Sequence, residues 1–360
     1  MWWGGIVEAA QVDMRASFRT AIVLALAIAL VALFLHNVDL WRVAAEIAEA
    51  RPEWLALSLA TMIVNLAIRA LRWQVLLEPL GPTTFGRAFR ATAVGFAASS
   101  ILPARAGEFI RPYFLARQTR HAHAEGLSAT GAFATIVLER LLDVVTVLCL
   151  LASYVFFFGR DLAAANPALF GVVKWAGASA GAVAVAGLVV LFVLAGHPAW
   201  LGLAIGRLEQ HLPASLGGLV ARVAERFARG LGVIRRPEPL LLALAWSIPL
   251  WLSIAVGIWA VAMAFRLTVP FTGSFVLIAM LVLGVIVPTP GAVGGFHEAF
   301  RIGATLFFGA PEATAVGAAI LLHLFSIGPS LLLGVVFAAQ EGLNLSGMRR
   351  LAEQAEQGQA

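Results

Sequence analysis

Cysteine and charged residues are both scarce in this chain of 360 residues. Cys149 is the single cysteine, which excludes an internal disulfide and a metal site built from several thiolates. Asp, Glu, Lys and Arg together make up 12% of the residues, whereas 61% are hydrophobic and the mean hydropathy is +0.90. This composition excludes an ordinary soluble domain and indicates an all-α, polytopic integral membrane protein.

The sequence also lacks the motifs of the common cofactor sites. It has neither a phosphate-binding loop of the Walker type nor a dinucleotide fingerprint, so we predict no nucleotide cofactor. His121 and His123 have no third ligand at a suitable spacing, so we predict no metal. The net charge of +5 comes from arginines at the ends of apolar runs, a pattern typical of membrane topology and not of nucleic-acid binding.

Apolar runs divide the chain into membrane segments of two lengths. Residues 91–102 and 274–287 are apolar for only 12 and 14 residues, which suits re-entrant segments better than spans. The opening residues are too acidic for a signal peptide, so the first long run is predicted to be retained as a span. The six predicted spans are residues 20–36, 54–77, 128–157, 172–196, 240–264 and 313–340.

The distribution of basic residues favours this topology. With a cytoplasmic N-terminus and two re-entrant segments, 18 of the 25 basic residues lie inside and 6 outside; if both short segments crossed, the numbers would be 11 and 13. The C-terminal tail, residues 341–360, is then cytoplasmic. Residues 199–236 carry an amphipathic helical pattern that predicts a segment lying on the inner leaflet.

The same topology predicts an inverted repeat within a single domain, residues 1–360. The two short segments would enter from opposite sides, and the halves would be about 20–157 and 172–340. Ala88-Phe89 and Ser274-Phe275 each begin an apolar run that ends at a proline, Pro103 or Pro288. Coincidence between two hairpins that end in Pro and Gly is the open alternative.

Three groups of charged residues lie inside or beside these apolar segments. They cost about 2.5 to 3.5 kcal/mol each at the bilayer centre, so they must face the protein interior. Together five arginines and three carboxylates leave an excess of +2. A structural salt-bridge network and a headgroup site are both compatible with the pattern. The groups are Asn65, Arg69 and Arg72; Arg105, Glu108 and Arg111; and Glu139, Arg140 and Asp143.

Arg105 and Arg111 suit a phosphate, because a short helix after Pro103 would present free backbone N–H groups beside guanidinium groups. The other hairpin has a turn rich in Pro and Gly, whose exposed backbone is tolerated at membrane depth only if it is buried in protein or lines a wet cavity. Glu298 is either a charge at a helix start or a coupling group, and His323 is either proton-sensitive or a hydrogen-bonded interior histidine. The predicted gate comprises Pro288, Pro290, Gly291, Gly294, Gly295 and Glu298.

Four motifs in order resemble the flippase-like proteins related to the membrane domain of lysylphosphatidylglycerol synthase. They are RALRW at 69–73, LPARAGEFIR at 102–111, ERLLD at 139–143 and PTPGAVGGFHE at 288–298. The resemblance implies a bacterial or archaeal cytoplasmic-membrane protein that moves an anionic phospholipid or a lipid-linked headgroup between leaflets. Ser99 and Ser100 stand where the family often has asparagine.

The 360 residues contain no soluble domain for aminoacyl-tRNA, so lysyl transfer is not expected. The predicted headgroup-binding residues are Arg69, Arg72, Arg105, Glu108 and Arg111. One alternative is a membrane-embedded enzyme that modifies a lipid with Glu108 or Glu139 as general acid or base. Another is an accessory subunit that positions a lipid for a biosynthetic enzyme partner.

Overall fold

The described part of the protein contains helices and connecting segments but no β-strand. The computed structural model describes residues 38–102, 105–120, 127–158, 167–196, 236–287 and 289–341, with a few positions between 25 and 35. Helices in these ranges are numbered α1 to α10 in chain order: Leu40–Ala48, Pro52–Leu77, Phe85–Ile101, Gly107–Arg120, Ala129–Ser153, Pro167–Gly196, Pro237–Ala264, Gly273–Ile286, Gly295–Phe308 and Glu312–Gln340.

Five helices are long and apolar enough to cross a membrane: α2, α5, α6, α7 and α10. They match five of the six predicted spans, and the chain is therefore a multi-pass membrane protein. The sixth predicted span, residues 20–36, falls largely outside the described residues, although 31–35 are helical. The amphipathic segment 199–236 and the tail 341–360 also lie outside them, except for Arg236 and Glu341.

The first of the two short predicted segments forms a helical hairpin from α3 and α4. Helix α3 begins six residues before the predicted apolar run, because the Thr84 hydroxyl accepts a hydrogen bond from the Arg87 amide and caps the helix. A β-carbon added to Gly107 would lie 1.8 Å from the Gly95 carbonyl oxygen, so the two helices touch through their backbones. Pro103 lies outside the described residues.

A second helical hairpin is formed by α8 and α9 in the same way. A β-carbon on Gly295 would lie 2.3 Å from the Gly284 carbonyl oxygen, and one on Gly284 would lie 2.6 Å from the Ala299 β-carbon. Glycine at both positions therefore allows the backbones to approach. Pro288 lies outside the described residues.

The packing glycines give a more specific correspondence between the hairpins than the sequence likeness did. Gly95 and Gly284 occupy equivalent places, and so do Gly107 and Gly295. Phe89 precedes its packing glycine by six residues but Phe275 precedes its own by nine, so the aligned phenylalanines are out of register by three. Re-entry of each hairpin from one side and inversion of the halves stay predictions.

The hairpin tips meet beside the long helices. A β-carbon on Gly291, in the second tip, would lie 3.4 Å from the carbonyl oxygen of Ser100 at the end of α3. His323 of α10 donates from Nε2 to the Gly291 carbonyl oxygen at 2.7 Å. Helix α10 also packs against α3 through Gly334, whose added β-carbon would lie 2.3 Å from the Ala93 carbonyl oxygen. The two tips thus form one contact in the bundle interior.

Candidate functional site

Four charged residues form a cluster that is almost closed to solvent. Helix α5 carries Glu139 and Asp143 one turn apart, so both carboxylates project from one face toward α2. Arg72 of α2 bridges them, with its Nη2 3.1 Å from Glu139 Oε1 and its Nη1 2.7 Å from Asp143 Oδ1. Arg111 of α4 places Nη1 3.1 Å from Glu139 Oε2. Two arginines and two carboxylates make this buried cluster electrically neutral.

Neutral hydrogen-bonding groups and an aromatic ring complete the buried cluster. Trp251 donates from Nε1 to Asp143 Oδ1 at 3.0 Å, and the Ser247 hydroxyl lies 2.9 Å from Arg72 Nη1. The guanidinium of Arg111 lies over the ring of Trp73, 3.9 Å from its centroid, and the Trp73 Nε1 donates to the Thr135 hydroxyl. This contact combines cation–π attraction with a hydrogen bond that fixes the ring.

A second set of charged residues faces an internal cavity. This cavity cluster comprises Arg69, Arg105, Glu108 and Arg140. Glu108 Oε1 lies 3.9 Å from Arg105 Nε and 3.6 Å from Arg140 Nε, distances too long for good hydrogen bonds. Arg140 is tied more closely to the buried cluster, since its Nη1 lies 3.1 Å from Asp143 Oδ2. The cavity cluster carries three positive charges and one negative charge.

Arg69 is held in place by neutral groups. Its Nε donates to the Asn65 side-chain oxygen at 2.9 Å, and its guanidinium lies 5.3 Å from the centroid of the Phe96 ring. Asn65 in turn donates to the Leu250 carbonyl oxygen at 2.9 Å and lies 3.0 Å from the Ser253 hydroxyl. No carboxylate of the described residues lies within 4 Å of Arg69. Its two terminal nitrogens therefore remain available to an anion.

The cavity has a volume of about 490 Å³ and two chemically different walls. Helices α2, α4 and α5, with the tip before α4, supply the charged wall. Hydroxyl groups of Ser99, Ser100, Ser326 and Ser330 add neutral polar groups. Helix α8 supplies an apolar wall that consists of Ile278, Leu281, Val282, Val285 and Ile286. A cavity lined by both charged groups and apolar side chains suits an amphiphilic ligand.

The described turn residues of the second hairpin line the cavity with backbone and carry no charge. Gly291, with φ +59°, lines the cavity, and Gly294 has φ +87°, so both adopt backbone conformations that favour glycine. The Gly294 amide donates to His297 Nδ1 at 3.3 Å, and α9 begins at the next residue, Gly295. Pro290 starts the single 3-10 turn between the two helices.

Glu298 lies apart from the cavity. Its carboxylate binds Arg301, whose Nε lies 2.9 Å from Glu298 Oε2, and Arg301 also pairs with Glu312 at the start of α10. The side chain therefore joins α9 to α10 within the second half of the chain, and no part of it is among the groups that line the cavity. A coupling role for Glu298 stays a prediction.

The structure thus separates the predicted site residues into two sets. Arg72 and Arg111 bind carboxylates in the buried cluster, and Arg111 also lines the cavity, as do Arg69, Arg105 and Glu108. The sequence did not predict that the site includes Ser247, Trp251 or Thr135. The two tryptophans of the cluster carried a usable signal, because an indole N–H inside an apolar span needs a hydrogen-bond partner.

The sequence was compared with protein-family models and with curated proteins. The family model described as the lysylphosphatidylglycerol synthase TM region matches residues 20–334, which include both hairpins and both charged clusters. No curated protein matches the chain. Because the match covers most of the sequence, the chain belongs to the family of the lysylphosphatidylglycerol synthase TM region.

Proposed function

We propose that this protein moves an anionic phospholipid or a lipid-linked headgroup between the leaflets of a cytoplasmic membrane. The observation that carries the proposal is the amphipathic cavity between α2, α5 and the two hairpins. Binding of a water-soluble solute would not require the apolar wall on α8. A purely structural salt-bridge network would not require Arg69 to face the cavity without a carboxylate partner among the described residues.

The dimensions of the cavity support a headgroup site and not a whole-lipid site. A volume of about 490 Å³ is within the range of about 300 to 1,000 Å³ typical of small-molecule pockets. Arg69 lies eight residues before the end of α2 at Leu77, which corresponds to roughly 12 Å along the helix axis. The headgroup would therefore be held below the membrane surface, within the thickness of the bilayer.

Helix α8 offers a path for the acyl chains. Ile278 and Leu281 lie on the cavity wall, whereas Leu283 has 60% of its surface exposed; Ile286 lines the cavity and also has 67% of its surface exposed. These exposed side chains would face lipid in the bilayer. A lipid can then keep its tails against the outer surface of α8 while its headgroup enters the cavity.

The cavity cluster would hold the anionic part of the headgroup. Arg69 is oriented by Asn65 before any ligand binds, so less side-chain freedom is lost on binding. Arg105 has 45% of its side chain exposed and can turn toward a phosphate without breaking a short ion pair. Glu108 lies near Arg105 and Arg140, so it would compete with the ligand for these two arginines and favour release.

In this proposal the second hairpin is the moving wall that acts as a gate. Its tip touches the first hairpin at Gly291 and Ser100, and no ion pair joins the two tips among the described residues. Glycines at 291, 294 and 295 allow the backbone changes that a hinge needs. Separation of the tips would open a route between the headgroup cavity and the opposite side of the bundle.

A lipid-modifying enzyme is the competing function. Glu139 cannot serve as its acid or base without a rearrangement, because the side chain is completely buried and both oxygens face arginines. Glu108 is the remaining carboxylate of the two, and no nucleophile lies in a hydrogen bond with it among the described residues. These observations favour transport.

A reconstituted transport assay tests the proposal. Purified protein in liposomes should move a labelled anionic lipid from one leaflet to the other, and Arg69→Gln should slow the movement at least about tenfold by removing one charge contact. Arg42→Gln is the matched control, because Arg42 is exposed on α1 and pairs only with Asp39 among the described residues. Equal rates for Arg69→Gln and wild type would overturn the assignment of the cavity.

A further inference from the structure

The net charge of the cavity region indicates how many negative charges the headgroup of the ligand carries. The buried cluster and the cavity cluster together contain five arginines and three carboxylates. Resting on the proposed function, we propose that the site takes a lipid whose headgroup carries two negative charges at one point, namely a phosphomonoester or a diphosphate. A phosphodiester with a single negative charge would leave the site with an excess of one positive charge.

The excess of +2 does not depend on how the ion pairs are assigned. Asp143 is shared between Arg72 and Arg140, and Glu139 lies near Arg72, Arg111 and Arg140. Whatever the pairing, three carboxylates can neutralise only three of the five arginines. Within the described ranges, no other charged side chain lines the cavity, because α3, α7, α8, α9 and α10 contribute only neutral groups.

Helix ends do not alter this balance. Each hairpin brings the C-terminal end of one helix and the N-terminal end of the next to its tip. The partial charges at these ends are about −0.5 and +0.5, and they cancel within each hairpin. The arginine excess is therefore the net charge that a ligand in the cavity meets.

Hydrogen-bond capacity follows the same imbalance. Nε and Nη2 of Arg111 and Nε of Arg140 make no hydrogen bond, and both residues line the cavity. The site has more guanidinium donors than its carboxylates can satisfy. A terminal phosphate offers three acceptor oxygens on one atom, whereas a phosphodiester offers two, so the phosphomonoester matches the surplus better.

Phosphatidic acid and phosphatidylglycerol with identical acyl chains are suitable probes, because only their headgroups differ. The second pKa of a phosphomonoester is about 6, so phosphatidic acid is a dianion at about pH 8 and mainly a monoanion at about pH 5. Phosphatidylglycerol carries one negative charge at both values. Expressing each result as the ratio of the two lipids cancels every effect of pH on the protein that acts equally on both lipids.

We expect phosphatidic acid to bind and move about tenfold better than phosphatidylglycerol at about pH 8, because the second charge interacts with the remaining arginine excess. The ratio should fall toward one at about pH 5. A third probe, a lipid diphosphate esterified at both ends, has one strongly acidic group on each phosphorus and is a dianion at both pH values, so it should keep its advantage at both. A ratio near one at about pH 8, or a ratio that does not change with pH, would overturn the inference.

Two charge variants in the cavity cluster give opposite expectations. Arg69→Gln lowers the excess to +1 and should abolish the preference for phosphatidic acid. Glu108→Gln raises it to +3 and should keep or strengthen the preference, while release becomes slower. Arg42→Gln changes the total charge far from the cavity and should leave the ratio unchanged, and gel filtration with a melting curve establishes that each variant is folded.

The two proposals fail in different ways. If wild-type protein neither binds nor moves either lipid, the proposed transport function fails and the charge preference fails with it. If phosphatidylglycerol moves as fast as phosphatidic acid at about pH 8, transport stands and the dianion preference alone is wrong.

Discussion

Arg72 Nη1 lies 2.7 Å from Asp143 Oδ1, and both side chains are almost completely shielded from solvent. Arg72 also faces Glu139, and Trp251 donates to the same Asp143 oxygen. The contact therefore ties α2, α5 and α7 together at one point. The relationship identifies Arg72 as part of the scaffold behind the cavity.

Arg72→Met should destabilise the protein, because it leaves Glu139 and Asp143 buried with fewer partners. Removing one partner of a buried ion pair costs about 3 to 5 kcal/mol. A melting curve in detergent should shift clearly downward, whereas Arg42→Gln should melt like wild type. A wild-type melting temperature for Arg72→Met would show that the buried cluster contributes little to the fold.

Arg69 should behave in the opposite way, with an effect on function and little effect on stability. Its guanidinium has no carboxylate partner among the described residues, so Arg69→Gln strands no buried charge. We expect its melting temperature to stay close to that of wild type while lipid movement falls about tenfold.

Arg69→Lys is the informative companion, since lysine keeps the charge but loses the planar fork of donors. Transport by this variant should lie between those of wild type and Arg69→Gln. If Arg69→Lys transports no better than Arg69→Gln, charge alone does not explain the role of the residue. If Arg69→Gln unfolds, Arg69 belongs to the scaffold after all.

The close approach of α3 and α4 can be tested with alanine. A β-carbon at Gly95 would lie 2.7 Å from the Arg111 β-carbon and 3.1 Å from the Gly107 carbonyl oxygen. Gly95→Ala should therefore force the hairpin apart and cost about 1 to 3 kcal/mol, the range for overpacking.

Gly86→Ala is the matched control on the same helix, because a β-carbon there meets no atom within 4 Å. This variant should be as stable as wild type or slightly more stable, since alanine is the better helix former. The melting curves of the two variants, measured side by side, check the hairpin packing. Equal stability of Gly95→Ala and Gly86→Ala would contradict it.

We expect the contact between the hairpin tips to open during transport. In a Cys149→Ser background, S100C/G291C places two thiols where the tips touch, because a β-carbon at 291 would lie 3.8 Å from the Ser100 α-carbon. Oxidation should block lipid movement, and reduction should restore it.

The single variants S100C and G291C, treated with the same oxidant, are the controls. Each should retain its activity after oxidation. If the oxidised double variant moves lipid at the rate of the reduced one, the second hairpin is not the gate.

The membrane helices could be predicted from the sequence because apolar runs of about 20 residues are a local signal. Helix α1 was missed, since its nine residues are too few to stand out from the neighbouring runs. The sequence also predicted short apolar segments where α3 and α8 lie, and re-entry of the hairpins stays a prediction. It did not give the register of each hairpin, because register depends on which glycines touch across the turn. That information lies in the tertiary packing of Gly95 with Gly107 and of Gly284 with Gly295.

The division of the arginines could not be predicted for a similar reason. Arg69 and Arg72 are three residues apart and share one polar stripe, so the sequence predicts a common role. Their different roles come from partners far along the chain: Ser247 lies beside Arg72, while Leu250 accepts a hydrogen bond from Asn65, which in turn orients Arg69. Only the packing of α7 against α2 brings these groups together.

The most direct test of the account follows both the position and the mass of one labelled anionic lipid in proteoliposomes. The account predicts that wild-type protein moves the lipid to the other leaflet with its mass unchanged, while Arg69→Gln moves it much more slowly and Arg42→Gln matches wild type. A lipid that stays in its leaflet in the presence of folded protein, or one that leaves with an altered mass, would contradict a transport function.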